Sequence, residues 1–308
     1  METLEKSLRG LNLLREKRFE SEMNDPIIVI DKTHIPGFVR QKFSLWIHNT
    51  SDATLYFKLV EQIPNWVLLG TSDIPLDGKI GAISAGNVKH FIGAVEREVP
   101  AGESEDAGNF KVEAYTDAGY TNLLESHSHP TTIYVEDLES WANVQKSDFD
   151  DGSSQGWTLS ELIVSGDQSV EDGGYSVKCS PVHSTTITPF LSKSVSLPNT
   201  NKVRLSFYWF AIGTNGPYVP GYLWGKNLRC YVDGDKVYEC FKPEERCFYI
   251  TVPGNSIRSV GWFKGGVDLS SYKGQTRTIK IQVDFTTSGL ASYTARFHFD
   301  DIIIAGKD

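Results

Sequence analysis

The chain has 308 residues, a formal net charge of −9 and 40% hydrophobic residues, which is long enough for two separate cores. Its acidic balance, with a pI near 5.3, excludes the basic footprint on which nucleic-acid binding depends, and it has no run of about 18 apolar residues to cross a membrane as a helix. Abundant Val, Ile, Thr, Tyr, Phe and Trp, punctuated by 27 Gly and 13 Pro with only two Met, predict an all-β protein.

Residues 1–25 open the chain. Leu4, Leu8, Leu11 and Leu14 recur at spacings of four, three and three, which predicts a short amphipathic helix that Gly10 weakens. A helix of this length is marginal alone, so it is expected to dock on its own domain, on a neighbouring subunit or on an assembly. Charged residues run through this segment in place of an apolar signal core. The expectation is a trimmed leader or a protein that reaches a surface without the secretory route, as a virion component does.

From Pro26 the pattern becomes short strands. Ile27 to Ile30, Gln41 to His48, Thr54 to Glu61, Val88 to Val95, Asn109 to Tyr115 and Thr131 to Val135 are separated by Gly, Pro, Asn and Asp clusters. Phe43, Leu45 and Ile47 alternate with Ser44, Trp46 and His48, the period of a strand with one buried face. Residues 26–138 are therefore expected to form one β-sandwich, and the stretch from Phe43 to Trp66 resembles the hairpin of Ig-like accessory domains of surface proteins and glycosidases. Asn49-Thr50-Ser51 fits the N-glycosylation pattern in an expected hairpin turn. His127-Ser128-His129 would put two imidazoles on one side of an extended strand. Pro130 follows and no third ligand is near in sequence, so a surface loop is expected there. Glu136 to Ser140 reads as a charged joint.

The second domain is expected over 141–308. The segments Asp148–Ser160, Gly173–Ser180, Asn201–Phe210, Arg229–Glu239, Gly261–Val283 and Phe297–Gly306 resemble, in this order, the strands of galactose-binding-like jelly-roll carbohydrate-binding modules. That resemblance implies a structural calcium ion, carried onto Asp148, Asp150, Asp172 and Asp300 with Glu171 or Asp301 as substitutes. Calcium takes six to eight oxygens, so chain ends and a loop can build its site. The other reading makes these carboxylates turn and strand-end groups that accept local backbone N–H bonds. Period-two alternation lets only one of Asp300 and Asp301 point inward.

Sugar binding needs flat apolar faces and a few polar groups. The Gly- and Pro-rich stretch from Gly213 to Trp224 supplies Tyr218, Tyr222 and Trp224 as candidate contacts with Asn215 beside them; packing over the sandwich edge is the competing role. Trp157 and Trp209 are expected in the core. Cys179, Cys230, Cys240 and Cys247 leave open free thiols or disulfides in any of three pairings. No Gly-x-Ser-x-Gly elbow, phosphate-cradling loop or His-Glu-x-x-His segment occurs, so no enzyme is expected.

The expected function is a non-catalytic structural or adhesion protein at a virion or cell surface, such as a decoration or spike component, forming an oligomer or part of an assembly. The alternatives are a carbohydrate-binding accessory protein of a glycan-degrading system and, third, an all-β glycoside hydrolase or lyase. The expected partners are other structural subunits or cell-surface glycans.

Overall fold

The structure is a computed structural model that describes residues 17–23, 27–35, 37–71, 73–166, 169–170, 174–179, 188–215, 225–241, 248–252, 255–285 and 294–308. Among these the chain is built of strands, with short 3-10 turns at Leu138–Ser140 and Ser270–Tyr272. The first strands are β1 (Phe19–Met23), β2 (Ile27–Asp31), β3 (Phe38–Asn49), β4 (Leu55–Gln62), β5 (Val67–Leu69), β6 (Lys79–Ile83), β7 (Val88–Glu98), β8 (Ser104–Tyr115) and β9 (Leu123–Glu136). There follow β10 (Asn143–Ser147), β11 (Thr158–Ser160), β12 (Ile163–Ser165), β13 (Ser176–Cys179), β14 (Phe190–Ser196) and β15 (Lys202–Asn215). The last are β16 (Gly225–Val232), β17 (Asp235–Phe241), β18 (Phe248–Val252), β19 (Asn255–Asp268), β20 (Thr276–Phe285) and β21 (Thr294–Lys307). No described helix is long and apolar enough to cross a membrane.

The chain divides into two compact units. The first holds Met1–Pro26, Arg40–Arg97 and Ala107–Thr131; the second holds Ile27–Val39, Glu98–Asp106 and Thr132–Asp308. The first half of the sequence makes a four-stranded sheet in the order β1-β3-β7-β5 and a five-stranded sheet in the order β2-β9-β8-β4-β6. In the first unit Phe43, Leu45 and Ile47 of β3 are buried with Phe57 and Leu59 of β4 and Phe110 and Val112 of β8, the alternation that period-two patterning dictates. Gly93 of β7 allows the Phe43 ring to lie flat against the backbone, since a Cβ there would sit 2.0 Å from Phe43 Cζ.

Two expectations for this half are corrected, the helix over residues 1–25 and the loop at His127 to Pro130, and two further features follow from the fold. Phe19–Met23 is a strand paired antiparallel with β3, Phe19 opposite Asn49 and Met23 opposite Leu45, so a helix does not run through residue 25; the leucine repeat lies outside the described residues. β2 and β9 pair in parallel, Ile27 opposite Thr132, which departs from an all-antiparallel sandwich. His127 to Pro130 lie within β9. Proline is tolerated there because β2 joins β9 only from Thr132 onward, and proline's missing N–H is acceptable at an open edge. Asn49 is buried, and its amide donates to the carbonyls of Ala53 (2.8 Å) and Ile83 (2.7 Å). That amide nitrogen is therefore committed to turn structure, and the glycosylation pattern is a turn-forming coincidence.

In the second unit, β12-β13-β21-β15-β19-β18, with β10 on β21, form a seven-stranded sheet, and β11-β14-β20-β16-β17 a five-stranded one. One core joins them: Val203, Leu205, Phe207 and Trp209 from β15, Leu228 and Cys230 from β16, Ile279, Ile281 and Val283 from β20, Phe297 and Phe299 from β21, and Trp157. The protein is thus all-β, with β-sandwich architecture. The stretch from Glu136 to Trp141 is a packed element, where the sequence suggested a solvated joint: Leu138 and Trp141 form a small core with Ile303 and Ala305, and Trp141 Nε1 donates to Glu103 Oε1 at 2.6 Å.

Candidate functional site

In the second unit, alternate residues of β15 point to opposite faces of the seven-stranded sheet. One set enters the core; the other, Arg204, Ser206 and Tyr208, is also buried. β2 and the chain around it cover this outer face. Tyr208 donates to the Thr33 carbonyl at 2.6 Å, Lys264 Nζ donates to Asp31 Oδ2 at 2.8 Å, and a Cβ at Gly266 would lie 2.1 Å from the Val29 carbonyl oxygen. Arg204 bonds Glu136 through Nε (2.8 Å) and Nη2 (3.3 Å), and Asp268 through Nη1 (2.6 Å). Burial lowers the Lys264 ammonium's proton affinity even though Asp31 works to hold the charge. Around Arg204, Ser206 and Tyr208 the described part of this face is filled by protein.

The five-stranded sheet presents a different surface. Its register sets Phe190 beside Gln282, Gln282 beside Arg229 and Arg229 beside Glu239, with Ser192, Lys280 and Tyr231 in the next row. These side chains are half-buried. Lys280 Nζ lies 4.5 Å from the Tyr231 ring centre and 5.6 Å from that of Phe190, within cation–π range. Arg229 bonds Glu239 Oε1 at 2.7 Å and Asp284 Oδ2 at 2.5 Å, and Gln282 Nε2 donates to Asp284 Oδ1 at 2.7 Å. Side-chain hydrogen bonds from Lys236 and Arg229 pull the Glu239 carboxyl below its usual range against the opposing effect of burial. The result is a platform of two rings and interleaved donors and acceptors. It escaped the sequence reading because its members come from four strands; Lys280 and Gln282 flanking buried Ile281 were the only local hint.

The candidate contacts Tyr218, Tyr222 and Trp224 lie outside the described residues, and of Asn215 only the backbone, the last residue of β15, is described. The strand ends on either side of this segment are described. Asn215 opposes Ser256, Thr214 opposes Thr294, and Gly225, where the chain returns, opposes Phe285 of the platform sheet.

Among the calcium candidates, Asp172 and Glu171 lie outside the described residues. Asp300 is buried, accepts the Val170 and Asp301 N–H groups at 2.8 Å each, and is pushed up to about 8, chiefly by burial, with the charges of Asp301 and Asp150 adding. Asp150 accepts the Tyr175 N–H at 3.0 Å, and Gly174 makes room for it, since a Cβ there would meet Asp150 Oδ1 at 2.1 Å. Asp148 accepts bonds from the Asp150 N–H (3.3 Å) and Gln155 Nε2 (2.9 Å). Asp301 pairs with Lys146 at 3.2 Å. Both Asp300 and Asp301 are buried, where alternation predicted one exposed. The cause is a bulge: the register slips between Ser206 opposite Ile303 and Tyr208 opposite Asp300, and Asp301 has φ 42°. Asp301 is engaged with Lys146, and no set of three metal-ligating side chains occurs among the described residues.

The hairpin of β16 and β17 sets Cys230 opposite Tyr238 and Cys240 opposite Leu228, so these two cysteines do not face each other. Cys179 and Cys230 are free and buried, and Cys247 lies outside the described residues.

No protein-family model and no curated protein matches the sequence. Solved structures give likenesses of shape at low identity. A mannohexaose-bound carbohydrate-binding module, CBM27-1 of Caldicellulosiruptor saccharolyticus, is 12% identical with a TM-score of 0.37, over 54% of this chain and 99% of that one. A cleaved adhesin domain of Lys-gingipain from Porphyromonas gingivalis is 13% identical with a TM-score of 0.36, over 54% of this chain and 100% of that one. The secreted serine protease VesC from Vibrio cholerae is 10% identical with a TM-score of 0.28; the match takes in 98% of this chain and about half, 54%, of that one. These are β-rich likenesses, and they name neither a ligand nor an activity for this chain.

Proposed function

We propose that this chain is a non-catalytic, glycan-binding surface protein whose sugar site is the open face of the five-stranded sheet together with the aromatic segment at its end. The observation that carries the reading is the contrast between two faces of the second unit: one sheet is sealed by β2, whereas the other displays Phe190, Tyr231, Lys280, Arg229, Gln282 and Glu239. A pyranose stacks its apolar face on a ring and exchanges hydroxyl hydrogen bonds with charged neighbours already held in place. Tyr218, Tyr222 and Trp224, with Asn215, are proposed as further sugar contacts. Asp148, Asp150, Asp172 and Asp300 are proposed to hold a structural calcium ion. Display on a virion or cell surface, in an oligomer or assembly, belongs to the same proposal, and the accessory role beside glycan-degrading enzymes uses the same site.

The test is titration of a panel of soluble oligosaccharides against the full chain and against Tyr231→Ala and Trp224→Ala. Micromolar binding that weakens at least tenfold in Tyr231→Ala supports the platform. Binding unchanged in both variants removes this site, and turnover of any oligosaccharide overturns the non-catalytic reading. Light scattering on the full chain measures the expected self-association.

A further inference from the structure

The first unit contains a histidine pair that the glycan reading does not use. On β9, Glu125, His127 and His129 alternate along one face, as residues two apart on a strand must. β1 brings Ser21 against them. Ser21 Oγ lies 3.3 Å from His127 Nδ1 and 2.9 Å from His129 Nε2, so two imidazole nitrogens converge on one small side chain. The His127 ring is held from two further directions. Its Nε2 lies 3.2 Å from Glu125 Oε1, and its plane stacks on Phe19 with ring centres 4.0 Å apart at 20°. Glu125 is itself fixed, its other oxygen accepting the Arg18 N–H at 2.9 Å.

The protons follow from this arrangement. A carboxylate only accepts, so Glu125 keeps the His127 proton on Nε2 and leaves the Nδ1 lone pair aimed at Ser21. Two imidazole nitrogens converging on one point, one ring oriented by a carboxylate on its far nitrogen, is how proteins prepare nitrogen ligands for borderline divalent metals. We propose that His127 and His129 form a two-imidazole site for a divalent transition-metal ion of the zinc, nickel or copper type, with Glu125 positioning His127. The ion takes the place now bridged by the Ser21 hydroxyl, which turns aside or remains as a weak oxygen neighbour. Glu125 is engaged behind His127 and no group of three metal-ligating side chains occurs among the described residues, so water fills the other positions. His129 needs only its proton on Nδ1 to offer the Nε2 lone pair to the ion.

The experiment is calorimetric titration of the full chain with Zn2+ at neutral pH, with histidine ring NMR on the same samples. One ion per chain is expected, with resonances of His127 and His129 moving first among the seven histidines. His127→Ala and His129→Ala should each weaken binding at least tenfold. Glu125→Gln should weaken it about tenfold, the usual cost of losing a carboxylate behind a histidine ligand. Ser21→Ala, which clears the bridging hydroxyl, should bind as tightly as the parent or more so. No binding to the parent chain, first shifts on other histidines, or binding unchanged in the double variant of both histidines would each overturn the proposal. The NMR readout on the parent chain stands even if a variant fails to fold.

Discussion

Lys264 Nζ lies 2.8 Å from Asp31 Oδ2, both side chains almost fully buried although 233 residues separate them in sequence. The Lys264 ammonium also sits 4.3 Å from the centre of the Tyr208 ring, and Asp31 accepts the Thr33 and Leu138 N–H groups on its other oxygen. The pair therefore ties β2, the 3-10 turn after β9 and the seven-stranded sheet into one unit.

Breaking such a pair on one side strands a charge in low dielectric. Lys264→Met is expected to destabilise the chain by about 3 kcal/mol, the lower end for a broken buried pair because backbone donors still serve Asp31. Adding Asp31→Asn removes the stranded charge while keeping an acceptor for those donors, and should recover part of the loss. Urea midpoints of the parent, the two single variants and the double variant give the coupling. Strict additivity would show that the pair does not act as one.

Gly266 lies where β19 passes closest to β2. An alanine Cβ would stand 2.1 Å from the Val29 carbonyl oxygen, an atom of the backbone that cannot swing away. Gly266→Ala should cost about 1–3 kcal/mol by forcing the strands apart, and Gly102→Ala, whose Cβ meets nothing within 4 Å, should stay within about 0.5 kcal/mol of the parent. Thermal melts of the two side by side check this, and equal melting temperatures would refute the close packing.

Cys179 and Cys230 are buried in the sandwich core, where burial pushes both thiols up to about 12. The thiolate is the reactive species, so neither cysteine should react with iodoacetamide at pH 8 in the native chain, and both should react in denaturant. Peptide mapping after alkylation reads each residue separately. Rapid native labelling of either would contradict its burial.

The strands were legible where core-facing apolar residues recur at every second position. Phe43, Leu45 and Ile47 of β3, and Leu205, Phe207 and Trp209 of β15, announce their sheets because period-two alternation is a local property. β1 was misread because its five residues, Phe-Glu-Ser-Glu-Met, alternate too briefly to outweigh the leucine spacing before them. The burial of both Asp300 and Asp301 was not legible because a bulge changes the count of residues between facing positions, and nothing in Asp-Asp-Ile-Ile-Ile marks where the extra residue falls. The platform of Phe190, Tyr231 and Lys280 and the pair Lys264–Asp31 were invisible for the same reason. Each is created by register between distant strands, which single-sequence patterning does not carry.

Asp300 offers the clearest pH test. Its folded value of about 8 lies above the ordinary carboxylate range, so between roughly pH 4 and pH 8 the folded chain holds a proton that the unfolded chain has released. Stability therefore falls as pH rises through that window, by at most about 1.4 kcal/mol per pH unit from this group, and the penalty is absent below about pH 4. Urea unfolding in chelator across this range should show the slope, and Asp300→Asn should flatten it whatever its effect on absolute stability. Calcium favours the ionised carboxyl, so millimolar Ca2+ should also flatten the slope and raise the melting temperature at pH 7.5. A slope that survives Ca2+ but not Asp300→Asn leaves the buried acid in place and removes the ion, whereas a slope that survives both places the titrating group elsewhere.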